Sequence, residues 1–196
     1  MDWYSSDWHI GHNNCIRYSG RPFKTVEEMD KTILENMLGA CKKGDNMFFL
    51  GDLSFDKNNV FGILKAFKDK KVNFNWIVGN HDNKLKPEQY AQYCTSIGIY
   101  KTVKRDGQKI FLSHNPHLTW DSSHYNSFHL YGHVHNFSPE HAEVERRMDG
   151  KAFNVNCEFN NYMPYNHDDI LEIMSKKPDN WDFTLLQIKK NVIISV

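Results

Sequence analysis

Five short, largely apolar runs in this chain each lead into a residue able to hold a metal ion, and this series is what most constrains the fold. Asp2 to Ser6 leads to Asp7-Trp8-His9, and Met47 to Leu50 leads to Gly51-Asp52. Val72 to Val78 leads to Gly79-Asn80-His81-Asp82, Gln108 to Ser113 leads to His114, and Phe128 to Tyr131 leads to Gly132-His133-Val134-His135. The unbroken Met47-Phe48-Phe49-Leu50 suits a strand covered on both faces. In layered α/β folds, ligands bind outside the carboxyl ends of the strands. Side by side, these strands bring Asp7, His9, Asp52, Asn80, His114, His133 and His135 to one rim. A lone histidine at a strand end is more often structural; an ordered series of five such ends is not.

The remaining pattern supplies helices. One is expected from Val26 to Lys42, begun by a capping box at Thr25 and Glu28 and ended by Gly44. Met29, Ile33, Met37 and Cys41 make one face apolar. A second is expected from Asn59 to Lys70, a short one from Pro87 to Cys94 and a late one from His167 to Ser175. Asp106-Gly107 between Tyr100–Arg105 and Gln108–Ser113 is a hairpin signal. Ala152 to Asn156 and the tail from Phe183 to Val196, turning near Lys189-Lys190-Asn191, read as further strands. The first half is βαβαβ and the second mostly β, so two packed sheets with outer helices are expected. The 196 residues show no repeat or linker and suit one domain over 1–196.

The chemistry follows from spacing. In Asp7-x-His9 and His133-x-His135 alternate residues of an extended segment point the same way. Glycines before Asp52, Asn80 and His133 are expected to let the chain turn sharply. Eleven histidines with four scattered cysteines and no CxxC pair favour oxygen and imidazole ligands over thiolates. Seven ligands exceed one tetrahedral site but suit two ions that share a carboxylate and activate a water between them. His81, beside a ligand, is a candidate proton donor, with Asp82 to orient it. His12, Arg17 and Arg21 follow the first ligand loop and are candidates for contacting a phosphate. His117, His124 and His129 read as pocket wall or surface.

These five blocks, in this order, resemble the calcineurin-like metallophosphoesterase family, over positions 7 to 135. The resemblance implies a four-layer α/β/β/α sandwich. It implies a first metal on Asp7, His9, Asp52 and His135, and a second on Asp52, Asn80, His114 and His133. Asn80 and His81 would contact the phosphate, and His81 would be the acid. Two divalent ions are implied, with Mn²⁺ foremost and Fe, Zn²⁺ or Ni²⁺ also suited. Asp7-Trp8-His9-Ile10-Gly11-His12-Asn13-Asn14, Arg21-Pro22-Phe23, His129-Leu130-Tyr131 and Asn154-Val155-Asn156 are similar to segments of small bacterial and phage phosphoesterases. The segment Gly51 to Lys57 lacks the arginine of the protein phosphatase branch, and Asp82 stands where that branch has glutamate. A phosphodiesterase of small substrates fits better.

Composition narrows the partners. Lys plus Arg is 24 and Asp plus Glu is 24, a net charge of zero. Extended nucleic-acid binding needs clustered basic charge and is not expected. No apolar run reaches the roughly 20 residues that span a bilayer, and no secretory leader is read at the start. A cytoplasmic enzyme, of a bacterium or a phage-infected cell, acting on a small phosphoester or nucleotide is the resulting expectation. The alternatives are a phosphomonoesterase, a small nuclease, or a non-catalytic interaction module on the same fold.

Overall fold

The computed structural model describes residues 1–138, 141–148 and 150–180. The strands are β1 (Asp2–Ser5), β2 (Asn46–Phe49), β3 (Asn73–Ile77), β4 (Ser96–Gly98), β5 (Tyr100–Arg105), β6 (Gln108–Ser113), β7 (Phe128–Tyr131), β8 (Ala152–Asn154) and β9 (Tyr165–Asn166). The helices are α1 (Asn13–Tyr18), α2 (Val26–Ala40), α3 (Lys57–Asp69), α4 (His141–Arg147) and α5 (His167–Ser175). One sheet runs β4-β3-β2-β1-β9, parallel except for β9, and the other runs β5-β6-β7-β8, parallel except for β5.

The strand alternation explains the layers. Met47 and Phe49 of β2, with Phe74 and Trp76 of β3, face α2 and α3. Phe48, Leu50 and Ile77 face the other way, onto Ile110, Leu112, Phe128 and Leu130 of the second sheet. Because both faces of β2 are covered, its apolar run is continuous. Tyr131 and Ala152, on the far face of the second sheet, meet Met148 and Val144 beside α4. These are two mixed sheets flanked by helices, as expected.

Local chemistry sets the element ends. Thr25 Oγ1 accepts the Glu28 N–H at 3.2 Å at the start of α2, and Asp56 accepts the Asn58 N–H at 2.9 Å at the start of α3. Asn166 and Asp169 form a reciprocal capping box on α5. The Asp106-Gly107 turn, with φ of 48° and 84°, closes the β5–β6 hairpin. Helix α3 starts at Lys57, two residues before the expected Asn59, because Asp56 caps it there, and two further segments differ from expectation. Helix α2 stops at Ala40 because Cys41 turns extended and is buried in the core, and Gly44, at φ 88°, redirects the chain afterwards. Pro87–Tyr93 winds as a 3-10 helix. The expected strands in the tail from Phe183 lie outside the described residues.

His129 is neither pocket wall nor surface. It is fully buried in β7, where Nε2 accepts the His117 N–H at 3.1 Å and Nδ1 faces the Phe111 carbonyl at 3.3 Å. Burial pushes its pKa from 6.5 down to about 3; the Phe111 carbonyl opposes this and the His117 charge adds to it. The unfolded chain therefore binds a proton below pH 6.5 that the folded chain refuses until about pH 3. Stability from this group is full above pH 6.5 and falls toward pH 3 by up to about 1.4 kcal/mol per pH unit. Urea titrations across that window should give a shallower fall for His129→Gln than for the natural chain; equal slopes would contradict the assignment.

Candidate metal centre

The expected ligands leave the strands at one end of the molecule. The chain leaves β1 into Asp7 and His9, β2 into Asp52, β3 into Asn80, β6 into His114, and β7 into His133 and His135. Asp7, His9, Asp52 and His133 all sit in the left-handed region, at φ 58°, 52°, 62° and 70°. Non-glycine residues held there cost on the order of 1–3 kcal/mol each and cluster at functional sites. The glycines play two different roles. Gly51 has φ 95° and turns the chain. Gly79 and Gly132 do not; a Cβ on Gly79 would strike the Asp52 carboxylate, and one on Gly132 would lie 2.6 Å from Asp7 Oδ2. Sharp turning was expected at all three, yet two are glycine because a carboxylate lies against them.

Two donor sets result. In the first, His9 Nε2 lies 3.1 Å from His135 Nε2, 3.8 Å from Asp7 Oδ1 and 3.6 Å from Asp52 Oδ2, and His135 Nε2 lies 3.7 Å from Asp7 Oδ1. In the second, His114 Nε2 lies 2.9 Å from Asn80 Oδ1, 3.3 Å from His133 Nδ1 and 3.5 Å from Asp52 Oδ2, and His133 Nδ1 lies 3.0 Å from Asn80 Oδ1. Asp52 Oδ2 belongs to both. Atoms about 2.1 Å from one ion stand roughly 3–3.5 Å apart, close to these separations.

The hydrogen bonds behind the rings show that the donors suit cations. His114 Nδ1 lies 2.7 Å from the Leu50 carbonyl, so this nitrogen carries the proton and the Nε2 lone pair faces inward. It meets another acceptor, Asn80 Oδ1, with no hydrogen between them unless the ring is charged. His135 Nδ1 likewise lies 2.8 Å from Glu158 Oε1, directing its Nε2 to His9. Burial pushes the Asp7 carboxyl up, but His9 and the surrounding imidazoles hold it well below the carboxylate range. Asp52 is held low in the same way by His114. Burial opposes charge on His114 as well, yet Asp52 and Asp7 raise it to about 9, so without an ion the Nε2 position holds a proton that a bound cation would displace. A pocket with two buried, ionised carboxylates and converging lone pairs is electrostatically matched to divalent cations.

Other sequence-expected residues are placed differently. Asp82 does not orient His81. It is fully buried, and Oδ2 accepts the N–H groups of Asp52, Gly79 and the Trp76 indole, each at 2.9 Å. Oδ1 accepts the Leu53 N–H at 2.8 Å. It staples the β2 and β3 loops together, and burial lifts its pKa to about 6 against those donors. Arg21 does not reach the rim either. It is buried, with Nη2 donating to the Asp7 carbonyl at 2.7 Å, Nη1 to the Trp8 carbonyl at 2.9 Å and Nε to Glu158 at 2.8 Å. Arg17 is exposed, its guanidinium 5.1 Å from the Tyr18 ring. His12 does stand by the site, flat on Phe55 at 3.7 Å and 5.7 Å from His9, with burial lowering its pKa to about 4. His81 is half-exposed; its N–H donates to Asp52 Oδ1 at 3.0 Å and its Nε2 lies 3.9 Å from Asp52 Oδ2.

Glu158 was not anticipated. It joins His135, Arg21 and the Asn136 N–H, the carboxylate–histidine arrangement that fixes a ligand's tautomer. The only nearby sequence signal was Asn154-Val155-Asn156; Asn156 caps the turn that carries Glu158. Phe55, against both His12 and His81, also went unread.

Residues 6–156 match the calcineurin-like phosphoesterase superfamily domain. The chain belongs to that superfamily. An uncharacterized protein of Methanocaldococcus jannaschii is 30% identical over 172 residues, 87% of this chain and 89% of its own length. A protein of unknown function from Aquifex aeolicus, known from its crystal structure, shares 26% identity at a TM-score of 0.70, over 88% of this chain and 98% of its own. Membership in the superfamily makes the chain a metal-dependent phosphoesterase; Asp7, His9 and His135, and Asp7, Asp52 and His114, lie close enough together to hold metal ions.

Two substitutions test the supports. Glu158→Gln should weaken divalent-metal binding about 10–100-fold without removing a ligand, measured by calorimetric titration of stripped protein; unchanged affinity would refute the support. Asp82→Asn places an amide NH₂ against backbone N–H donors and should cost about 2 kcal/mol in urea unfolding of the metal-free chain.

Proposed function

We propose that this phosphoesterase is a cytoplasmic phosphodiesterase of small substrates, nucleotide-type esters among them, that works with two divalent ions, Mn²⁺ foremost. The observation that carries the reading is the pair of donor sets joined through Asp52 Oδ2, with His81 half-exposed beside them. Ions held there would supply Lewis acidity to the phosphoryl oxygens and lower the pKa of a water. Asp7 and Asp52 hold the positive charge in place. The backbone N–H of His81 is tied to Asp52, and its ring lies against Phe55 with Nε2 3.9 Å from Asp52 Oδ2, next to the centre and with one side open to solvent. From there the imidazolium donates its proton to the leaving alkoxide, a contribution of about 10²–10⁴-fold. His12 and Phe55 form the wall beside it.

The preference for a diester rests on charge. A monoester dianion carries one more negative charge than a diester, and a cationic side chain at the rim would favour it. Arg21 is turned into the core and Arg17 lies over Tyr18. The cleft beside Asn80 and His114 is lined by no Lys or Arg. The cytoplasmic reading is supported by four cysteines that form no disulfide. No helix among the described residues is long and apolar enough to cross a membrane.

Hydrolysis of bis-p-nitrophenyl phosphate should exceed that of p-nitrophenyl phosphate, require added Mn²⁺ and stop with chelator. Preference for the monoester would overturn the diesterase reading in favour of a phosphatase. His81→Ala should lower kcat by about 10²-fold or more on a diester with an alkyl leaving group. The loss should be smaller with nitrophenolate, which leaves without a proton. Equal losses on both would remove His81 from the role of acid.

A further inference from the structure

A cleft of about 320 Å³ opens beside the second donor set, lined by Val78, Gly79, Asn80, Asn83, Ile99, Tyr100, Ser113, His114, Asn115 and His117. We propose that it is a nucleoside subsite, in which a base stacks on Tyr100 while its phosphate lies at the metal centre. The inference rests on the phosphoesterase reading of that centre and names the substituent it selects.

Three features carry it. First, the cleft is continuous with the chemistry, since Asn80 and His114 line it and also belong to the second donor set. Its size is that of a small-molecule site, about 300–1,000 Å³. Second, Ile99 and Tyr100 are 71% and 62% exposed at its edge. Adjacent in sequence and both lining the cleft, they form an apolar edge beside the second donor set. The Tyr100 ring is backed by Phe111, with centroids 5.9 Å apart and planes 29° apart. It is therefore held as a platform rather than left free to collapse.

Third, the cleft contains no Asp, Glu, Lys or Arg, but it does offer Asn83, Asn115 and His117. The Asn83 and Asn115 side-chain amides make no hydrogen bond to any described residue. Uncharged donors and acceptors beside an aromatic face suit the edge and face of a nucleobase, whereas a second phosphate would find no cation there. The cleft lies on the Asn80–His114 side, whereas His81 packs toward His9 and Phe55. The base thus sits on the side of the phosphate away from the proton donor.

Binding separates this subsite from the catalytic reading. Calorimetry on the Mn²⁺-loaded protein would compare thymidine 5′-monophosphate with methyl phosphate. A stacked base should make the nucleotide bind about tenfold tighter. Tyr100→Ala should bring that ratio close to one. Asn115→Ala should reduce it in part, which covers the case in which the tyrosine variant misfolds. Tyr125→Ala, an exposed tyrosine outside the cleft lining, should leave the ratio intact. Equal affinity of the natural chain for the two ligands, or a ratio that survives both cleft substitutions, would overturn the subsite. A ratio that behaves as expected in a protein that prefers monoesters would keep the subsite and overturn only the diesterase reading.

Discussion

The two sheets are joined at their carboxyl ends by hydrogen bonds that also build the site, and the rest of the structure depends on that joint. The His133 N–H, from the second sheet, donates to the Asp7 carboxylate of the first at 3.0 Å. His114, also from the second, donates to the Leu50 carbonyl of the first. Behind them Tyr4, Phe48, Leu50 and Ile77 pack against Ile110, Leu112 and Leu130. Neither sheet holds a complete donor set: the first set needs His135 from the second sheet, and the second set joins Asp52 and Asn80 of the first sheet to His114 and His133 of the second. Packing the apolar faces and assembling the centre are therefore one event.

That coupling explains how the strain persists. Four ligand residues sit at positive φ, each with an intrinsic preference for another conformation. Asp82, through three backbone N–H groups on the β2 and β3 loops and the Trp76 indole of β3, and Arg21, through the Asp7 and Trp8 carbonyls, hold the β1, β2 and β3 loops from beneath. A buried carboxylate and a buried guanidinium are costly unless fully paired. Asp82 meets backbone and indole N–H groups, and Arg21 meets Glu158. Asp82, expected to orient His81, and Arg21, expected to contact a phosphate, serve instead to fix the backbone around the candidate ligands.

What could be read from the sequence divides along the range of the interactions. β2, β3, β6, β7 and α2 announce themselves by periodicity and by local caps such as Thr25, and the ligands by their place after those strands. The short elements α1, β4 and β9 carry too few residues for a period; β4 and β9 are created by pairing with β3 and β1. Glu158 is paired with His135 across 23 residues and with Arg21 across 137, and no local pattern records such a partner. The capping-box reading at Thr25 was right for the Thr25 oxygen. The Glu28 side chain reaches the Lys24 N–H, one residue further than the motif implies. Phe55 stayed hidden because an aromatic after a ligand loop looks like core until its exposed face is seen.

Selectivity has to come from outside the metal donors. In the proposed reading the two sets and His81 would act only on the phosphoryl group, and any ester that reaches them presents the same oxygens. The walls differ. On one side Phe55 separates His12 from His81, an apolar divider between two imidazoles. On the other the uncharged cleft of Tyr100, Asn83 and Asn115 meets the second set. With Arg21 turned inward to carry the Asp7 loop, no arginine among the described residues lines this cleft to hold extra phosphate charge. The support of the first loop and the absence of this guanidinium from the rim are thus consequences of one residue's orientation. A relative that freed this arginine would need another way to hold Asp7 in its left-handed conformation.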